Sequence, residues 1–577
     1  MSRDRYHSWL VLPAYALITI VWLWPVMARY SSSIPLSNAQ FDPFLQTFLI
    51  GWDRMALATN PSQLFHPPIF FPEPRTLTYM DHMTGETILA WPLLRGWNSL
   101  PTAYNGLLFA SFVLSAWAVY RLARLLGTSR AGAALSGAWF AFSSYRLAHI
   151  DLLNQLQTQF LPLGLLFLVR YLRRRKARDA VGVAGTLTAQ AYFGWYYAYY
   201  LAIAVVIVGS YLALVRGQTP PREHRLLWVG LLLAGLAAIS PVTLPYIEQR
   251  HALPEFGRSL GETAMYSADL TDYVRWHPNS LAATRFGTPS GRQPYWPGTV
   301  VVLLTTIWIA ACLRRPPDPA VGHRQASAWA SLRARLNLLG DPGAMLFLSA
   351  ISLVLSLGPV LHVAGRLLWI PLPYALLYST LPGFASMRAP ARMSVLVALG
   401  LAVVAGHSWS WIRKRNARLA IWLVALAIVF LFLDSWIRPI PTASIPKLDR
   451  IPAIYAWLAT QPAKTPFLEI PVPREDSDET AIDSYRQLLV LVHGQPRLDG
   501  SSGFTSPRYQ SFRLAMQDFP KDPAIDALSR MGGKLMIVHF GDVSPGRRED
   551  LERSLALQKR LLPRARFGDD AAYELLR

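Results

Sequence analysis

Four acidic residues of the stretch 29–102, Asp42, Asp53, Asp81 and Glu86, stand among Trp52, Trp91 and Trp97. A carboxylate in such a setting can act as a general base that takes a proton from a reacting hydroxyl. Asp42 follows a Ser-rich stretch and precedes Pro43, which suits the N-cap of a helix over 43–50 equally well. Asp81 and His82 adjoin each other, and His149 and Asp151 follow the apolar run 131–148. His and Asp at helix ends are caps or interface residues in the plain reading. In the sharper one they bind substrate, or zinc, because ionisable groups at membrane depth tend to be functional.

Arg388 and Arg392 are four residues apart and share one face if a helix starts near Pro390. Their guanidinium groups can snorkel to lipid headgroups or clamp a phosphate, since the planar fork matches phosphate oxygens. Residues 192–200, YFGWYYAYY, hold seven aromatics in nine positions. That density reads first as an interfacial belt, and second as a platform for a sugar face or a polyprenyl tail. His407, inside an apolar run, reads as a packed polar residue.

The elements that must position these groups are membrane helices. Of the 577 residues 52% are hydrophobic and 16% charged, against about 25% charged in a soluble protein. Mean hydropathy is +0.24. Eleven spans fit best: 8–28, 103–122, 131–148, 152–170, 180–193, 195–215, 226–247, 297–313, 343–361, 393–412 and 419–437. The 36 charge-free residues 180–215 would make one helix of about 54 Å, far longer than a bilayer core of about 30 Å, so two spans turning near Gly194 are expected. The first span, preceded by Arg3 and Arg5 and lacking a small-residue cleavage site, reads as a retained anchor.

The net charge of +21 does not point to nucleic acid. Residues 441–577 are nearly balanced, with 19 Lys/Arg and 18 Asp/Glu, and the excess lies in short loops such as Arg173–Lys176 and Arg413–Arg415. With an odd span count and the N-terminus inside, and helix-end charges counted with the nearer side, the inner segments hold 23 Lys/Arg and 5 Asp/Glu. The outer segments of 1–440 hold 14 and 12. This asymmetry follows the positive-inside rule and places 441–577 outside the cytoplasm. The carboxylates concentrate on the outer side, so chemistry that uses them is expected there.

The fold class expected is therefore an α-helical polytopic membrane protein with a C-terminal soluble α/β domain. Its parts are a membrane domain, 1–440, with long outer loops 29–102, 248–296 and 362–392, followed by the domain 441–577. The first loop, with apolar stretches 44–50 and 87–94 suited to interfacial helices, reads as a lid. In the C-terminal part 466–472 and 535–540 read as buried strands and 450–460 and 479–492 as helices. It carries no Gly-rich phosphate loop, metal spacing or nucleophile elbow, so recognition or support suits it better than catalysis. Cys312 is the sole cysteine, which excludes an intramolecular disulfide and a thiolate metal cluster.

Residues 42–93, DPFLQTFLIGWDRMALATNPSQLFHPPIFFPEPRTLTYMDHMTGETILAWPL, resemble the first outer loop of a bacterial group within the GT-C superfamily of membrane glycosyltransferases. YRLAHIDLLNQ (145–155), YSADLTDYV (266–274), LPGFASMRAPARM (381–393) and GQPRLDGSSGFTSPRY (494–509) extend the resemblance over nearly the whole chain. It implies about a dozen membrane helices and a periplasm-facing site where an acidic residue of the first outer loop is the base. Asp42 is the matching position. Many relatives carry an Asp-x-Asp pair there, whereas FDPF surrounds Asp42, so a divalent metal is left open and no other cofactor is implied.

On this reading the chain is an inner-membrane glycosyltransferase that moves a hexosyl or pentosyl group from a polyprenyl-phosphate-linked donor to a lipid, glycan or protein acceptor. Asp42 is its base, and Asp81, His82, His149, Asp151, Arg388 and Arg392 bind substrate. A transporter or flippase of a lipid-linked glycan, or a non-catalytic assembly subunit, is the alternative. Transporters often show internal repeats and acids at mid-membrane. Neither is seen here.

Overall fold

The computed structural model describes residues 2–36, 42–288, 292–315, 328–472 and 480–576. The chain divides into two compact units, one built from 1–27, 107–241 and 257–440, the other from 28–106, 242–256 and 441–577.

The first unit is helical, and each of the eleven apolar runs carries a helix. Among the described residues five helices are long and apolar enough to cross a membrane by themselves: Trp97–Leu125, Trp195–Leu214, Arg222–Ala252, Pro390–Arg415 and Ala417–Ser435. A sixth span arises if Trp329–Asn337 and Pro342–Ser356, bent by 112°, count as one. The helix Ser394–Arg415 is the hub, packed on Pro342–Ser356, Arg130–Ala141, Thr299–Leu313 and Ala417–Ser435. Its glycines permit this. A methyl on Gly406 would collide with the backbone oxygen of Gly132, and one on Gly400 with that of Met345. The helices Ala177–Tyr192 and Trp195–Leu214 part at Gly194, whose φ of 125° suits a residue without Cβ.

Three runs expected as single helices are broken, 8–28 between Ser2–Trp22 and Trp24–Met27 and two others around one buried side chain. The run 131–148 divides into Arg130–Ala141 and Ser144–Ala148, and 152–170 into Leu153–Leu156 and Phe160–Arg174. The cause is Arg146, which is fully buried. Its Nε donates to the Ala141 carbonyl at 3.1 Å, its Nη1 to the Leu156 carbonyl at 2.8 Å, and Thr158 Oγ1 accepts from it as well. A buried charge of this kind must have every N–H engaged. Chain ends with free carbonyls meet that demand, and an unbroken helix does not.

In the second unit, strands β1 (Ser33–Pro35) and β4 (Thr442–Ser444) pair antiparallel. Between them in sequence, in the first unit, β2 (Val360–Val363) and β3 (Arg366–Pro371) form a hairpin. The main sheet of the second unit has the order β5-β6-β8-β7 (Phe467–Ile470, Leu535–His539, Asp570–Leu575, Leu561–Phe567). The two expected strands are parallel neighbours, β5 and β6, buried along their whole length as apolar parallel strands are. The expected helices are Ala453–Ala459 and Thr480–His493. Ile454, Leu458, Phe467, Leu489 and Ile537 form the core around Tyr455.

Residues of 29–102 are built into this same unit. Helix Asp42–Thr59, longer than the expected 43–50, packs on Thr480–His493 where Gly51 meets Leu491. The Arg497 N–H donates to Pro68 O at 2.9 Å, and the Phe71 N–H to Arg497 O at 2.9 Å. The blocks 42–93 and 494–509, distant in sequence, are therefore laced together by backbone bonds.

Candidate functional site

The predicted residues divide between the two units. In the first unit the segment Pro390–Met393 is a 3-10 turn, so Arg388 and Arg392 do not share the face of a regular helix as expected. Each is held by its own tyrosine instead. The Arg388 guanidinium lies over the Tyr266 ring at 4.4 Å and that of Arg392 over the Tyr196 ring at 4.3 Å. The Arg388 backbone N–H also donates to Tyr196 Oη at 2.8 Å. A guanidinium stacked by its flat face is oriented by the ring, and its N–H donors lie in the plane of the fork.

His149 is buried against Tyr145, ring centroids 4.5 Å apart. Its Nδ1 is 2.7 Å from the Tyr145 carbonyl, so Nδ1 carries the proton and Nε2 is left as an acceptor. Burial, opposed by that bond and reinforced by the positive field of Arg392, pushes its pKa down to about 4, so the ring is neutral at pH 7. Tyr145 Oη lies 3.0 Å from Tyr197 Oη, which donates to Gln155 O at 2.6 Å. Asp151 is buried close by in sequence. The aromatic run 192–200 thus supplies Tyr196 as a stacking partner and Tyr197 as a hydrogen-bonding one.

Other acids of this unit are taken up by the architecture. Asp269 accepts from the N–H groups of Ala364 (2.9 Å) and Gly365 (2.7 Å), Asp272 from those of Arg292 (2.7 Å) and Gln293 (3.0 Å). Asp434 takes the Thr299 N–H at 2.7 Å. His407 sits edge-on to Trp308 at 5.8 Å, as a packing residue does.

In the second unit Asp42 is the first residue of helix Asp42–Thr59, half-buried, where a carboxylate interacts favourably with the helix dipole. Asp81 and His82 precede helix Thr84–Ala90, and the His82 N–H donates to Tyr246 Oη at 3.1 Å. They neighbour two further acids of the stretch 29–102, to which the sequence alone gave no binding role. Asp53 and Glu86 are fully buried, and Asp53 Oδ2 accepts from Thr84 Oγ1 at 3.2 Å. Neither Glu86 oxygen has a hydrogen-bond partner among the other described residues. Burial, with the Thr84 hydroxyl only partly offsetting it, raises Asp53 to about 8. Burial and then the fields of Asp53 and Asp81 raise Glu86 well above the usual carboxyl range. Asp42 is eleven residues before Asp53 on one helix, about 16 Å away, so it stands apart from this group. Among the described residues no group of three or more His, Cys, Asp or Glu is arranged to hold a metal ion.

No protein-family model and no curated protein matches the sequence. Solved structures do. The archaeal oligosaccharyltransferase AglB from Archaeoglobus fulgidus, solved with an inhibitory peptide and a dolichol-phosphate, superposes with a TM-score of 0.51 at 12% identity. The match covers 93% of this chain and 70% of AglB. The chain shares its fold with AglB. ArnT from Cupriavidus metallidurans, bound to undecaprenyl phosphate, also matches, with a TM-score of 0.43 at 11% identity over 98% of this chain and 97% of that one.

Proposed function

We propose that the chain is a glycosyltransferase of the bacterial inner membrane, moving a sugar from a polyprenyl-phosphate-linked donor to an acceptor on the periplasmic side. The observation that carries this reading is the Arg388/Tyr266 and Arg392/Tyr196 pairing, two guanidinium groups each held over the ring of its own tyrosine. Arg392 belongs to the same unit of membrane helices as the neutral His149 and its field acts on that ring. The dolichol-phosphate held by AglB, a protein of the same fold, supports a lipid phosphate as the anion.

In the reaction, Asp42 takes the proton of the acceptor hydroxyl as its oxygen attacks the anomeric carbon. The bond from that carbon to the phosphate oxygen breaks, and the arginines stabilise the charge that develops on the leaving polyprenyl phosphate. His149 Nε2 accepts a hydrogen bond from a donor hydroxyl. Asp81, His82 and Asp151 contribute to binding, and the acceptor is a lipid, glycan or protein.

Mass spectrometry of envelope glycans and lipid-linked sugars in wild-type and deletion strains tests the reaction. Accumulated donor together with a glycan lacking one sugar supports transfer. Glycan trapped on the cytoplasmic leaflet identifies a flippase instead, and unchanged lipid-linked sugars with an unassembled partner complex identify an assembly subunit.

A further inference from the structure

The β2–β3 hairpin has a surface that the proposed reaction does not use. Its two-residue turn, Ala364 and Gly365, has φ of 52° and 78°, the backbone of a tight hairpin turn. Asp269 accepts from both turn N–H groups, and at the base the Leu372 N–H donates to Pro359 O at 2.9 Å. The hairpin is therefore fixed at both ends.

All six residues of β3 are exposed. Successive side chains of a strand point to opposite faces, so exposure of Leu367 (40%), Leu368 (39%), Trp369 (83%) and Ile370 (51%) means that both faces are open and apolar. In water such an edge strand would invite aggregation.

Its position supplies another surrounding. Only 357–359 separate β2 from the apolar helix Pro342–Ser356, on which Phe347 and Val354 are exposed as well. Arg366 and Trp369 are of the types that settle at the headgroup level, Trp through its amphipathic ring and Arg through phosphate contact. The free backbone groups of an edge strand are tolerated where water reaches them and not in hydrocarbon. That sets the depth at the interface.

We propose that the β2–β3 hairpin is an interfacial anchor, with strand Arg366–Pro371 lying in the headgroup region of the leaflet next to the end of helix Pro342–Ser356. Its partner is the lipid surface itself.

The single cysteine permits a direct test. In the full chain carrying Cys312→Ala, Trp369→Cys is labelled with a nitroxide and reconstituted into vesicles of phosphatidylethanolamine and phosphatidylglycerol. Arg564→Cys on β7, in the strand Leu561–Phe567, serves as reference. The label at 369 is expected to collide more often with oxygen and several-fold less often with a water-soluble nickel chelate than the reference label does. Leu368→Cys repeats the measurement on the opposite face, in case the Trp369 change disturbs insertion. Nickel accessibility equal to the reference at both positions overturns the proposal. So does exclusion of both relaxants, which would mean that a second copy of the chain or another protein covers the strand.

Discussion

Arg392 rests on the ring of Tyr196, 4.3 Å from guanidinium carbon to ring centroid, while the hydroxyl of the same tyrosine accepts the backbone N–H of Arg388 at 2.8 Å. One aromatic side chain thus orients one arginine and fixes the backbone of the other. Arginine presents a planar fork that matches an oxyanion, which lysine cannot reproduce.

The consequence is a graded series at this site. Arg388→Lys and Arg392→Lys should each weaken polyprenyl-phosphate binding about tenfold or more, as a charge-preserving loss of bidentate contact. Tyr196→Leu removes a stacking contribution of about 0.5–2 kcal/mol. Tyr196→Phe keeps the ring and loses only the bond to Arg388, so it should fall between wild type and Leu. Binding titrations in nanodiscs read the series. Equal affinity in both Lys variants would assign these arginines to lipid anchoring.

The buried acids of the second unit predict a dependence on pH. Burial raises Asp53 from an ordinary carboxyl value to about 8, and Glu86 in the same direction. A group whose folded pKa is raised adds stability that is complete below its unfolded pKa and is lost as pH rises through the folded one. Helices Asp42–Thr59 and Thr84–Ala90 should therefore exchange amide hydrogens faster as pH rises from about 4 to beyond 8, after correction for intrinsic exchange. Glu86→Gln cannot ionise and should flatten that trend. An identical pH trend in the Gln variant would remove Glu86 from the explanation.

Much of this arrangement was legible in the sequence, and the exceptions share a cause. Apolar runs, the turn at Gly194 and the parallel strands β5 and β6 follow from local pattern, because periodicity and a single Gly act over a few residues. Arg146 broke two expected helices through partners at Ala141, Leu156 and Thr158, and a lone Arg in an apolar run does not announce which carbonyls it will claim. Asp53 and Glu86 read as loop acids, yet tertiary packing removed both from water. Arg388 and Arg392 were singled out by spacing. Their holding tyrosines, Tyr266 and Tyr196, are remote in sequence and could not be paired with them beforehand.

Arg497 shows the same lesson in the C-terminal segment and yields a stability prediction. It is fully buried and paired through Nε with Glu469 (2.7 Å) and Asp499 (2.6 Å), and through Nη2 with Asp483. Burial works to raise Glu469, but Arg497 and then His539 hold it far below the usual range. Burial lifts Asp499 to about 8 despite Arg497, because Asp483 and Glu469 share the same guanidinium. Arg497→Met leaves these carboxylates uncompensated and should lower stability by about 3–5 kcal/mol, the usual cost of breaking a buried pair. Thermal unfolding of the full chain measures it. Unchanged unfolding would show that the carboxylates neutralise themselves by taking up protons.

Topology is predicted from charge. The 23 to 5 excess of basic over acidic residues on one side, against 14 to 12 on the other, predicts that 441–577 lie in the periplasm. A reporter active only in the periplasm, fused after Arg577, should be active. Activity of a cytoplasm-only reporter at that position would move Asp42 to the wrong side for the proposed reaction.

Asp42 carries the sharpest prediction because its position suits two roles. As the first residue of helix Asp42–Thr59 it interacts with the helix dipole, and as a half-buried carboxylate in the first long loop it can take a proton from an acceptor hydroxyl. Asp42→Asn is nearly isosteric, and Asn caps helices as well as Asp does, so the change removes basicity while keeping the local fold. If Asp42 is the base, the variant should insert normally, bind donor with wild-type affinity and transfer sugar about 100-fold more slowly or worse. Asp42→Ala should show the same rate loss together with weaker stability, since it loses the polar side chain at the helix start as well. Near-normal transfer by the Asn variant would leave Asp42 a helix-end residue only. The search for the base would then move to Asp81, which lies in the same unit and, unlike Asp53 and Glu86, is not fully buried.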